Sequence, residues 1–165
     1  MRKLLKPVTA VMAIVILAFS LFGCTGDVPE EKTFSDLGMT ITLNDYFTRT
    51  NLTKKYKEEY VSYQSAEVAV FVQKTYNRDN EYTPHEYAER LCENVRHTDV
   101  AVNDKGAYSD FEYYEEVEEV TLYNYYRCYG VGDYLWCVQF TCREENLGSV
   151  NINFQKWADS ITFAN

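Results

Sequence analysis

The stretch VTLYNYYRCYGVGDYLWCVQFTC, residues 120–142, decides the fold. Two aromatic runs, Val120 to Tyr129 and Tyr134 to Cys142, lie on either side of Gly132-Asp133. A two-residue loop with Gly first suits a type II′ turn, so the runs read as one antiparallel hairpin. In that register Val131 faces Tyr134, Tyr129 faces Trp136 and Tyr125 faces Phe140. Arg127 falls opposite Val138, on the same face as those rings. Cys128 falls opposite Cys137, in a non-hydrogen-bonded pair where side chains approach most closely. A loop at Val131-Gly132 would instead set Cys128 against Leu135 and lose the alignment of rings and thiols. Two outcomes fit the facing cysteines: a cross-strand disulfide, or two buried free thiols packing as small apolar groups.

The other cysteines follow from the same parity. Cys142 lies on the other face of its strand from Cys137, so those two cannot bond. With Cys128 and Cys137 paired, Cys92 and Cys142 remain, and a bond between them would staple a helix to the sheet. The spacing of Cys92, Cys128, Cys137 and Cys142 contains no C-x2-C pair, which argues against zinc.

Elements upstream and downstream extend the sheet. Met39, Ile41 and Leu43 alternate with Thr40 and Thr42, a half-buried strand. Asn44-Asp45 ends it, and Tyr46-Phe47 opens an irregular stretch. Tyr60 to Tyr63 and Val68 to Tyr76 read as two strands, the second with Val68, Val70 and Val72 on one face. Thr83-Pro84-His85-Glu86 starts a helix, with Thr at N-cap, Pro at N1 and Glu at N3. Ala88, Leu91, Cys92 and Val95 then recur at helical spacing, and the helix should end near Arg96-His97. Asn103 to Gly106 reads as a turn and Phe111 to Tyr114 as a strand. Leu147, Val150, Phe154, Trp157 and Ile161 share one helical face, and Ile161-Thr162-Phe163 reads as a short closing strand. Strands joined by short turns, with two helices between them, make an α+β chain with an antiparallel sheet.

The chain has 165 residues, 16 Lys+Arg against 25 Asp+Glu and a formal charge of −9. That length holds one domain. The acidic balance argues against nucleic acid, which needs clustered Lys and Arg. The N-terminus is an address: Arg2, Lys3 and Lys6 precede an apolar run from Val8 to Phe22, too short to span a bilayer. Its end, Leu21-Phe22-Gly23-Cys24, resembles the lipobox of bacterial lipoproteins. That resemblance implies a signal peptide over residues 1–23 and a lipid on the Cys24 sulfur, attaching the protein to the extracytoplasmic face of the cell membrane. Losing residues 1–23 removes three basic groups and no acid, leaving 13 against 25 and a balance of −12. An anionic membrane surface would not attract that charge, so the lipid must do the anchoring. Residues 24–33 then read as the lipidated Cys24 and a flexible tether, and residues 34–165 as a single domain.

Candidate chemistry is sparse. His85 and His97 lie over three helical turns apart and cannot cooperate, so both read as surface residues. Neither a nucleophile elbow nor a phosphate-cradling glycine loop is present, and no cofactor is implied. Glu115, Glu116, Glu118 and Glu119, with Asp110 or Glu112, have no calcium-loop spacing and read as a solvated strand end. Asn51-Leu52-Thr53 fits a glycosylation sequon, but a lipobox implies a bacterial cell and makes it chance. Tyrosine is the outlier at 15 residues. Rings fall on both faces of the aromatic strands, so either helices cover both faces or one face is open for binding through rings such as Tyr113, Tyr126 and Trp136.

The order Phe34…Gly38-Met39-Thr40-Ile41-Thr42-Leu43…Phe47, then a strand pair, a helix around Glu86-Tyr87-Ala88, aromatic strands and Phe154-Gln155-Lys156-Trp157-Ala158-Asp159-Ser160-Ile161-Thr162-Phe163 resembles small lipoproteins with a PsbP/Mog1-like domain. The resemblance covers most of residues 34–163. It implies a central antiparallel sheet with helices on both faces, an α/β/α sandwich, in a family of assembly and partner-binding proteins. The expected function is therefore a membrane-anchored, non-enzymatic binding or assembly module with a cell-envelope protein partner. The alternatives are a small-ligand or envelope-glycan binder using exposed Tyr and Trp136, and an enzyme built on paired carboxylates.

Overall fold

The structure, a computed structural model, describes residues 28–50, 58–95, 97 and 99–164. The signal segment, Cys24 and the Asn51-Leu52-Thr53 sequon lie outside the described residues. The central hairpin has the expected register. Strands β8 (Val120–Val131) and β9 (Tyr134–Arg143) pair Tyr125 with Phe140, Arg127 with Val138, Cys128 with Cys137 and Tyr129 with Trp136. Gly132 takes φ +55, which a first-position glycine supplies at no steric cost.

The sheet grows outward from this pair. β9 takes β5 (Val68–Tyr76) on its other edge, then come β4 (Tyr60–Gln64) and β3 (Thr48–Thr50). Beyond β8 lie β7 (Ser109–Val117) and the two-residue β6 (Asn103–Asp104). The seven strands run in the order β3-β4-β5-β9-β8-β7-β6, every neighbour antiparallel. A second, three-stranded sheet joins β1 (Glu31–Asp36), β2 (Met39–Asn44) and β10 (Thr162–Phe163).

Among the described residues two α-helices complete this α+β fold: α1 (Pro84–Asn94) and α2 (Leu147–Asp159). The α1 start is a capping box. Thr83 Oγ1 accepts from the Glu86 backbone N–H at 3.2 Å, and the Glu86 carboxylate accepts from the Thr83 N–H at 2.8 Å. Those bonds to Thr83 hold the Glu86 carboxyl below its ordinary range, so the cap is complete at neutral pH and is lost as acid protonates the group.

Strand parity divides the interior into two clusters. Odd-numbered β8 residues Tyr123, Tyr125 and Tyr129 pack with Trp136, Val138 and Phe140 of β9, with β2 and with Val150, Phe154 and Trp157 of α2. Even-numbered Tyr126 and Cys128 pack with Cys137, Phe111, Tyr113 and Tyr87, Ala88, Leu91 and Cys92 of α1. The small sheet is tied in by Asp36, which accepts from Tyr63 Oη at 2.8 Å and pairs with Arg49 at 2.7 Å.

Three local expectations are corrected. Glu31 and Lys32, read as tether, belong to β1 opposite Asn44 and Leu43. β1 is largely exposed, so it carries no apolar alternation; side-chain bonds such as Ser35 to Thr40 at 3.0 Å mark it instead. Thr48–Thr50, in the irregular stretch, forms β3 against β4. The strand read as Phe111 to Tyr114 runs further: the acidic run is the solvated end of β7, which continues through Glu115 and Glu116 to Val117, and Glu118-Glu119 make the turn with φ of 49° and 68°. Two consecutive positive φ values make the type I′ geometry that usually selects Asn-Gly, so glutamates concealed the turn.

Candidate functional site

The thiols fall into two groups. Cys128 and Cys137 touch across the hairpin, Sγ to Sγ 3.4 Å, and are thiols in this structure. Cys92 joins them in the α1 cluster, whereas Cys142 belongs to the α2 cluster. The Cys92–Cys142 staple is therefore ruled out, because the sheet separates the two side chains. Burial pushes the Cys92 thiol up to about 12, with Cys137 adding to the effect, and raises Cys128 well above the ordinary thiol range. Burial likewise lifts Cys142 to about 12, with a contribution from Glu67. Thiols held protonated in this way are poor nucleophiles and poor metal ligands. Among the described residues no group of three or more His, Cys, Asp or Glu side chains is placed to hold a metal.

The three rings proposed for binding are interior. Tyr113 and Tyr126 stack under α1 with ring centroids 5.8 Å apart and hydroxyls 3.2 Å apart; burial pushes the Tyr113 hydroxyl up to about 12. Trp136 is 4% exposed and packs on Phe163 of β10 at 4.9 Å. The residues that cover these rings lie far away in sequence, in α1 and β10. His97 is half-buried rather than a surface residue, its ring 4.0 Å from that of Tyr113. His85 pairs with Glu89 one helical turn on, at 3.5 Å.

Rings that do meet solvent are different ones. Tyr76 and Tyr134, 60% and 37% exposed, meet edge to face at 5.4 Å beside the hairpin turn, with Lys74 Nζ 4.1 Å from the Tyr134 centroid. Tyr114, 50% exposed, stands on β7 beside Tyr123 at 5.4 Å. Tyr123 donates to Glu112 at 2.5 Å. Parity sets Glu112, Tyr114 and Glu116 in one exposed row. In the sequence this row was hidden in the acidic run, although the doublet Tyr113-Tyr114 already required one ring to face away from α1.

One polar centre is built around a buried guanidinium beside the α2 cluster and opens to solvent at Asp159, 67% exposed. Arg127, opposite Val138, is 3% exposed. It donates from Nε to Tyr125 Oη at 2.6 Å and from its two terminal nitrogens to Asp159 Oδ1 and Gln155 Oε1, each at 2.7 Å. The Tyr108 ring covers the guanidinium at 4.2 Å. Burial works against the charge, but the bonds to Tyr125 and Asp159 outweigh it and raise the Arg127 pKa. Every donor direction named here ends on the protein itself, so the group joins β8 to α2 rather than waiting for a ligand.

No family model matches the sequence, and no curated protein matches it. Solved structures do. The solution structure of CyanoP, the cyanobacterial PsbP of Synechocystis, superposes with a TM-score of 0.62 at 11% identity, covering 87% of this chain and 98% of that one. The fold is PsbP/Mog1-like. The Saccharomyces cerevisiae Ran-binding protein Mog1p matches with a TM-score of 0.57 at 10% identity over 84% of this chain and 97% of its own. A protein of Bacteroides thetaiotaomicron matches at 0.59 and 9% identity over 82% of this chain, which spans only 49% of that longer one. Among the described residues no helix is long and apolar enough to cross a membrane.

Proposed function

We propose that this chain is a lipid-anchored protein of the extracytoplasmic membrane face that works as a non-enzymatic binding or assembly module with a cell-envelope protein partner. The observation that carries the reading is the lipobox Leu21-Phe22-Gly23-Cys24 placed directly before a PsbP/Mog1-like domain. β1 starts at Glu31, so six residues separate it from Cys24, a link of seven Cα-to-Cα steps. Fully extended, they reach about 24 Å, which keeps the domain against the membrane. The separate α1 and α2 clusters support an α/β/α sandwich as the three-layered form of the domain. The glycan-binding alternative loses the three rings it relied on, because Tyr113, Tyr126 and Trp136 are buried.

The test is Cys24→Ser in a bacterial host fed a labelled fatty acid. Wild type should carry label and sediment with membranes; the variant should carry none and stay as an uncleaved precursor. Equal labelling of the two would refute lipidation at Cys24.

An extracytoplasmic address also favours oxidation of Cys128 and Cys137. Burial holds the Cys128 thiol protonated, so the bond would form before the α1 cluster closes over the pair, by exchange with an envelope disulfide that takes up the two electrons. Closing so short a loop stabilises by about 2–3 kcal/mol, so Cys128→Ala with Cys137→Ala should lose about that amount in urea unfolding. Peptide mapping without reductant reads the bond directly, and alkylation of both thiols in that experiment would rule it out.

A further inference from the structure

We propose that the outer edge of β7 is a docking strand for an extended, basic segment of a partner protein, which adds to the seven-stranded sheet beside Glu112–Val117. This deepens the binding-module reading and rests on it.

β6 pairs with β7 only at Asn103 opposite Asp110 and Asp104 opposite Ser109. Before β6 the chain leaves the edge, with Val100 and Val102 packed in the α1 cluster. The rest of β7 pairs with β8 alone. In antiparallel pairing the backbone groups of successive residues point alternately to the two neighbours. The type I′ turn makes Val117 and Val120 a hydrogen-bonded pair. Odd-numbered β7 residues therefore bond to β8, and Glu112, Tyr114 and Glu116 direct their N–H and C=O groups outward. Among the described residues nothing pairs with those groups.

A row of free donors and acceptors is a template for another strand, and the side chains select its chemistry. Glu112, Tyr114 and Glu116 form the exposed row, with Glu115 on the other face and Glu118 and Glu119 at the turn. A second copy of this edge would set glutamates against glutamates, which is unfavourable; a Lys or Arg at alternate positions would meet Glu112 and Glu116 favourably and lie against the Tyr114 ring. The carboxylates thus prevent self-pairing and leave the edge open to a basic strand.

The probe is a labelled, end-blocked peptide TKVKVKT, with TEVEVET as control, titrated by fluorescence anisotropy into the full chain in detergent at low salt. TKVKVKT should bind at least tenfold tighter than the control. Tyr114→Pro removes the central outward N–H while keeping the charges, and should weaken binding at least tenfold. Glu112→Lys with Glu116→Lys, whose melting temperature confirms a folded surface variant, should reverse the preference between peptides. Equal affinity for both peptides, or full affinity in Tyr114→Pro, would overturn the proposal. Self-association abolished by Tyr114→Pro would assign the edge to a second copy and overturn it as well. Retention of envelope partners by Tyr114→Pro would leave the binding-module reading standing without the edge.

Discussion

Phe154→Ala should lower the stability of the domain by about 4 kcal/mol, within the range for truncating a fully buried ring. Phe154 is 1% exposed and is the point where α2 meets the hairpin. Its ring centroid lies 5.6 Å from Phe140, 6.0 Å from Trp157 and 6.1 Å from Tyr123. The cost has two parts: the apolar area returned to water, and a cavity among rings that cannot close around it. Phe140 and Tyr123 are held by sheet register, and Trp157 is held edge-on by Phe47 at 5.1 Å. At roughly 3–4 °C per kcal/mol for a domain of this size, the melting temperature should fall by about 12–16 °C. Ile152 is on the same helix and is 82% exposed, so Ile152→Ala should stay within about 0.5 kcal/mol. Thermal unfolding of the two variants side by side gives the comparison. A loss below about 1 kcal/mol for Phe154→Ala would mean that α2 does not pack on the sheet as described.

The contrast between these two residues was legible in the sequence, because the 3.6-residue period places Phe154 with Val150 and Trp157 and leaves Ile152 outside. The hairpin was legible for a related reason: Gly132-Asp133 sets the loop, the loop sets the register, and the register sets every facing pair down to Cys128 and Cys137. The start of α1 was equally clear, since Thr83, Pro84 and Glu86 each satisfy a local requirement. What the sequence concealed were features decided by contacts across long separations. β1 is a polar strand recognisable only by its partner β2. Period-two alternation shows that rings such as Tyr113 and Trp136 share or oppose a face. It cannot show that α1 covers one and β10 the other, so sidedness was legible while the choice between covered core and open face was left to the structure. Cys92 and Cys142 met the same limit: each was correctly placed on its own element, but the cluster that each joins is a tertiary fact. The candidate edge on β7 was hidden because glutamate hardly distinguishes a strand from a loop.

Arg127 is the sharpest case of a partner decided far along the chain, and its removal is the second large effect expected. In the sequence it was a cation on an aromatic face opposite Val138. In the structure its acceptors Gln155 and Asp159 come from the last turns of α2, about thirty residues on. Asp159 ends the helix, where a negative charge opposes the helix dipole; the guanidinium beside it reverses that penalty. Arg127→Ala deletes three charge-assisted bonds, leaves a void under the Tyr108 ring and strips Tyr125 Oη of its donor. About 3 kcal/mol should be lost. Arg127→Met keeps most of the volume and should recover about a third to a half of that, because packing and polar parts then separate. The exposed pair Lys156–Glu31 is just as short, at 2.7 Å, but both side chains stand in water. Its bond to Lys156 lowers the Glu31 carboxyl pKa, yet Glu31→Gln should leave the urea midpoint almost unchanged, because water and salt screen an exposed pair. Urea unfolding at low and high salt separates the two pairs: most of the Arg127 penalty should persist in roughly 0.5 M salt, because the guanidinium is buried and two of its three bonds go to the neutral groups of Tyr125 and Gln155, with only Asp159 exposed to screening. If the Arg127→Ala penalty vanished at high salt, the guanidinium would have to be solvated, and α2 would not be joined to β8 through it.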